Sequence, residues 1–183
     1  MASKKTFSYT WWGKKWIQAL ESFGWANRLE RGRRYARQGK VIDLNIEKGK
    51  ITAFVSGTRS TPYRVSIKVQ KFRKSQWNAI IKFLSSKALY AAQLLSGTMP
   101  EDIQYVFEEA GINILPQDET ELKVSCSCPD IAIPCKHIAA VHYIIAEELD
   151  KDPFLVFKLR GMGKEEFIEQ MTKLNTKKYK KFN

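Results

Sequence analysis

Four residues carry the chemistry of this chain: Cys126, Cys128, Cys135 and His137, spaced Cys-x-Cys, six residues, Cys-x-His. They include all three cysteines and one of the two histidines. Thiolate sulfur and imidazole nitrogen are preferred zinc donors, and four of them complete a tetrahedron. The implied chemistry is a closed Cys3His site for one structural Zn2+. Such a site leaves no coordination position for a reacting water, and the intervening loop holds no glutamate to act as a base. Three other readings use the same residues. The cysteines could be buried and unligated. Cys135 and His137 could form a nucleophile pair, although no third group is evident to orient them. Cys126 and Cys128 could form a disulfide, strained by the one-residue gap. An odd number of cysteines in one cluster argues against a disulfide framework and fits a reducing compartment. His142 lies more than a turn beyond Cys135. Its type makes it a substitute ligand, and its position makes it a core or surface histidine.

These four donors need a strand, a loop and a helix to hold them. Residues 112–115 and 121–126 pattern as two strands, the second delivering Cys126. In extended backbone, Cys126 and Cys128 share a face. Pro129 ends the strand, Asp130 can form a side-chain turn, and Pro134 suits a helix start. Cys135 and His137 cannot share a face deep in a helix. The spacing therefore predicts Cys135 at the mouth of a helix over residues 134–149, with His137 in its first turn. The positive end of that helix then faces the thiolates.

Upstream, Trp11, Trp12, Trp16, Leu20 and Phe23 recur at helical spacing and predict a helix over residues 11–23, stopped by Gly24. A second helix is predicted over residues 28–39, with Gly39 as its stop. From Val41 the period changes to two. Three segments, residues 41–46, 51–56 and 63–69, predict an antiparallel meander with one buried face. Residues 75–110 pattern as helices broken at Ser85 and Ser86. The segment 153–157 reads as an apolar docking element, residues 164–171 as a short helix, and the end from Lys173 as a fraying basic tail.

The fold class expected is α+β. N-terminal helices and a three-stranded antiparallel meander come first, then a helical middle, then a C-terminal ββα zinc finger with a trailing helix. The corresponding divisions are a basic N-terminal α/β region (1–74), a helical segment (75–111), the finger (112–150), a docking segment (151–172) and a basic tail (173–183).

The charge is +12 overall, with 31 Lys and Arg against 19 Asp and Glu. Residues 1–74 alone carry +14, whereas residues 99–122 hold seven acids and no Lys or Arg. This balance points to a polyanionic partner, nucleic acid first, on one side of the molecule. The candidate phosphate contacts are Lys14, Lys15, Arg31, Arg33, Arg34, Arg37, Arg64 and Lys68, with a solvated basic face as the alternative. Trp11 and Trp12 are candidates for stacking on bases, with core packing as the alternative. No apolar run approaches a membrane span, and the N-terminus shows no apolar signal segment, so the chain reads as cytoplasmic.

Cys126-x-Cys128-x6-Cys135-x-His137, followed by Ile138-Ala-Ala-Val141, resembles the SWIM zinc finger pattern. Trp12-Gly-Lys-Lys-Trp16, the stretch 31–41 and the stretch 152–161 look like parts of the small prokaryotic SWIM proteins. The resemblance implies a zinc-stabilised ββα module that binds DNA or protein. It also implies a helicase of the SNF2 class as a candidate partner. Two functions follow as expectations. One is a nucleic-acid-binding accessory factor, with DNA first and RNA second. The other is a protein-interaction adaptor for an SNF2-class helicase or another ATPase. No phosphate loop, carboxylate pair or open metal site argues for an enzyme.

Overall fold

A computed structural model describes residues 6–22, 26–117 and 119–179. Helix α1 (Trp11–Ser22) and helix α2 (Ala26–Arg37) precede three strands, β1 (Val41–Glu47), β2 (Lys50–Val55) and β3 (Tyr63–Val69). Three helices follow: α3 (Lys74–Leu84), α4 (Ala88–Leu95) and α5 (Ile103–Glu109). Strand β4 (Leu122–Cys126) then leads to α6 (Lys136–Lys151), α7 (Leu155–Leu159) and α8 (Lys164–Tyr179). The architecture is α+β. The predicted stop at Gly24 lies outside the described residues.

The patterning of the meander holds, with one physical refinement. Strands pair antiparallel in the order β1-β2-β3-β4. A bulge between Val41 and Asp43 inserts Ile42 as the extra residue of β1. The bulge turns Ile42 outward, where it is 56% exposed, while Val41, Leu44 and Ile46 face the core. On β2 and β3, Ile51, Ala53, Val55, Val65, Ile67 and Val69 are buried on one face, as period two requires.

Two elements differ from the sequence pattern. Residues 112–115 do not form a strand. The carbonyls of Asn113 and Ile114 instead accept hydrogen bonds from the Arg160 guanidinium, at 3.1 and 2.6 Å. Strand β4 pairs instead with β3, with Ile67 opposite Val124 and Val65 opposite Cys126. The finger strand thus extends the meander instead of forming a separate hairpin. The second difference is at the C-terminus, where α8 continues to Tyr179 across the predicted fraying point.

One core draws residues from almost every element: Trp16, Ile67, Trp77, Phe107, Ile138, Phe157 and Phe167 belong to the same cluster. Trp11 and Trp12 pack on its edge, their rings T-shaped at 5.2 Å. Their indole nitrogens are buried and both residues are half-buried, in keeping with the core-packing alternative. Helix α1 is fixed at its start by Asp150 of α6. Its carboxylate accepts from Ser8 Oγ at 2.7 Å, from Tyr9 N at 2.7 Å and from the Thr10 hydroxyl. These bonds outweigh burial and hold the Asp150 pKa below its usual value. Helix α2 ends in a Schellman turn, in which Gly39 at φ 65° donates to Ala36 O and Lys40 N donates to Tyr35 O. No helix among the described residues is long and apolar enough to cross a membrane.

Candidate metal centre

The register of β3 and β4 positions the first half of the site. Cys126 sits on the inner face opposite Val65, and Ser127 N donates to Arg64 O at 3.0 Å, holding the chain extended. Cys128 then falls on the same face, as alternation demands. The loop turns at Asp130, whose carboxylate accepts from Ala132 N at 3.2 Å and pairs with Arg28 of α2 at 3.5 Å. Cys135 is the N-cap of α6, and His137 lies in the first turn. The sequence spacing predicts this placement, because i and i+2 can meet only where the backbone changes direction.

The donor atoms of Cys126, Cys128, Cys135 and His137 all lie within 4.8 Å of one another. His137 Nδ1 is 3.8 Å from Cys126 Sγ and 3.7 Å from Cys135 Sγ. Donors bonded to one tetrahedral zinc at roughly 2.3 Å for sulfur and 2.0 Å for nitrogen stand about 3.5–3.8 Å apart. The cluster therefore fits one zinc ion, and the three cysteines form no disulfide. The hydrogen bond from Cys126, and after it the one with His137, lowers the Cys135 pKa. Cys126 is pushed up correspondingly by that same bond and by burial.

Two tyrosines pack against the ring of His137. Tyr63 stacks on it at 4.4 Å and 29°, and Tyr35 of α2 meets it edge-on at 5.5 Å. No sequence spacing points to these tyrosines, which are brought in only by sheet pairing and helix packing. Lys136 lies over the Tyr35 ring at 5.0 Å. Helix α2 comes close to α6, since Gly32 leaves no room for a side chain against Ala139. Arg28, Gly32 and Tyr35 thus lock α2 onto the metal centre.

His142 is not part of the donor cluster. It is buried beside Trp16, with ring centroids 5.6 Å apart, and neither ring nitrogen has a hydrogen-bond partner among the described residues. Burial pushes its pKa down to about 4. The unfolded chain takes up this proton near pH 6.5, well before the folded one does. Stability from this group is therefore full above about 6.5 and falls until about 4, a loss of roughly 3 kcal/mol. Substituting His142→Leu is expected to remove that part of the acid-side slope. Urea unfolding of both proteins in zinc-saturated buffer from pH 7 to 4 measures it, and parallel curves for the two proteins would contradict it.

The basic residues separate into two sets. Arg31, Arg34 and Arg37 lie exposed along α2, Lys14 and Lys15 on α1, and Arg64 and Lys68 on β3. Arg37 lies over the Phe7 ring at 5.2 Å. Arg33 is engaged internally, donating to Tyr143 Oη at 2.8 Å and pairing with Glu21. These contacts link α2 to α1 and α6, and the Arg33 side chain remains 39% exposed.

Residues 115–143 match the family model of the SWIM zinc finger. The chain carries a SWIM zinc finger. Its boundaries include β4, the loop, all four donors and the first half of α6. Within the fold, this finger is continuous with the meander sheet through β3. The chain is also similar to the uncharacterized protein Rv2102 of Mycobacterium tuberculosis, at 45% identity over 170 residues. That alignment covers 93% of this chain and 61% of the relative, so the chain spans about three-fifths of the relative's length. No solved structure matches the chain.

Proposed function

We propose that this chain is a zinc-stabilised accessory protein that binds nucleic acid, DNA first and RNA second. The observation that supports it best is the seating of an arginine-rich helix on the finger. Arg31 and Arg34 project from α2 to solvent, while Tyr35, Gly32 and Arg28 of the same helix hold the metal centre and its loop. Zinc thereby fixes the cationic surface in place. Arginines and lysines on such a surface neutralise phosphates and release counterions, so affinity falls steeply with salt. The closed donor set suits a structural metal and supports a binding module over an enzyme.

The test is a gel-shift titration of zinc-loaded protein against single- and double-stranded DNA and RNA over a salt series. Binding at low salt that weakens as salt rises supports the proposal; no binding at low salt overturns it. A second reading, an adaptor for an SNF2-class helicase or other ATPase, is favoured by the finger loop. There Ile131 is 97% and Ile133 61% exposed, two apolar side chains at the tip of a braced turn. An Ile131→Ser/Ile133→Ser variant that keeps zinc and nucleic-acid binding but loses association with such an ATPase would select the adaptor.

A further inference from the structure

The outer face of the four-stranded sheet differs from its inner face in every row. The inner residues are apolar and lie beneath the helices. On the outer face, Lys50 of β2 stands opposite Lys68 of β3, which stands opposite Lys123 of β4. Three cations thus form one row, about 10 Å long at the usual strand spacing. None of the three makes an ion pair within the described residues; Glu47 of β1 faces the end of the row, opposite Lys50. The next row is hydroxyl-bearing: Thr52, Ser66 and Ser125 are register partners. The row after it pairs Phe54, which is 38% exposed, with Arg64.

Like charges directly opposite in a sheet cost stability. Protection of an edge strand accounts for Lys123 on β4, but not for Lys68, which lies on an interior strand. The arrangement suits a partner that supplies the missing negative charge. Phe54 adds a flat apolar face beside a guanidinium, at the far side of the hydroxyl row from the cations. A ring can stack only on a base that is unpaired, which a duplex does not offer at its surface.

We propose that this outer sheet face binds single-stranded nucleic acid, with phosphates along Lys50, Lys68 and Lys123 and a base stacked on Phe54 beside Arg64. The proposal rests on the nucleic-acid reading above and adds to it the strandedness and the surface. Acids on the β1 side, Asp43 opposite Phe54 and Glu47 opposite Lys50, bound the site and confine the strand to β2, β3 and β4.

The experiment uses the full zinc-loaded chain and fluorescence anisotropy with labelled oligothymidylate, oligouridylate and a mixed-sequence duplex. Expected for Lys68→Gln/Lys123→Gln is a loss of single-strand affinity of at least about tenfold at low salt, with the salt slope flatter by roughly 1.4. Expected for Phe54→Ala is about a five- to hundredfold loss with the slope unchanged. Phe54→Leu keeps the side chain apolar and removes the stacking face, so it should weaken binding too, and it guards against misfolding of the alanine variant. Arg31→Gln/Arg34→Gln separates the two surfaces. If that change abolishes binding while the sheet variants bind as wild type, the nucleic-acid reading survives and the sheet proposal falls. Duplex binding equal to single-strand binding, with Phe54 irrelevant, overturns the sheet proposal as well. Failure of the wild-type chain to bind any oligonucleotide overturns both. So does binding to phosphatidylserine vesicles alone, lost in the lysine variant, which would assign the face to a lipid surface.

Discussion

Serine in place of Cys135 is expected to release the zinc and lower the melting temperature by roughly 10–20 °C, corresponding to about 5 kcal/mol in a chain of this size. Cys135 is buried, caps α6 and supplies a donor, so its loss breaks the junction between loop and helix. Metal binding energy becomes folding energy where the site does not exist in the unfolded chain. Only part of it is expected in the melting temperature, because most of the core that Cys135 joins, Trp77, Phe157 and Phe167 included, is apolar packing that supplies no zinc donor. Metal analysis should find one zinc per wild-type chain and none in Cys126→Ser, Cys128→Ser or Cys135→Ser. Chelator should lower wild-type stability and leave the variants unchanged. Zinc-free wild-type protein that melts like the zinc-loaded protein would return the cluster to the reading of unligated buried cysteines.

The second large effect is expected at Arg160. Arg160→Met should cost about 3–5 kcal/mol in urea unfolding, the range for breaking a buried, hydrogen-bonded charge pair. The side chain is only 1% exposed. Its guanidinium pairs with Glu121 at 2.7 Å and donates to Gln70 O at 2.9 Å, as well as to the carbonyls of Asn113 and Ile114. It also lies over the Phe72 ring at 4.7 Å. Burial lowers its pKa, and Glu121 opposes that shift. Methionine fills part of the volume but strands three carbonyls and a carboxylate. Arg160→Lys keeps the charge, loses the planar fork and should fall in between. Equal stability of Arg160→Met and wild type would mean that water satisfies these groups without cost.

Arg160 also shows where reading along the chain reaches its limit. Residues 112–115 alternate as a strand should, and local pattern gives no sign that a guanidinium from residue 160 will claim their carbonyls. With residues 112–115 outside the sheet, β4 pairs with β3. The bulge at Ile42 is similar. Ile42 to Ile46 alternate in type, but which residues face inward depends on register with β2, not on β1 alone. Lys173 and its neighbours look like a tail by charge, but they continue a helix whose inner side packs Phe167 and Met171 into the core. Among the basic residues, charge singled out Arg33 equally with Arg31 and Arg34, and only the folded neighbours Glu21 and Tyr143 distinguish it.

The sequence by itself determined the metal chemistry, because ligand type and short spacing are local properties. It also determined that Cys135 must sit at a helix mouth, since i and i+2 cannot converge within a helix. Period and breakers set most of the helices and the three strands of the meander. Only the tertiary structure decided that the finger strand completes that meander, that Tyr63 and Tyr35 pack against His137, and that three lysines from separate strands form one row. Those outcomes depend on pairing between segments distant in the chain. Register and packing choose that pairing among alternatives that local pattern leaves equal.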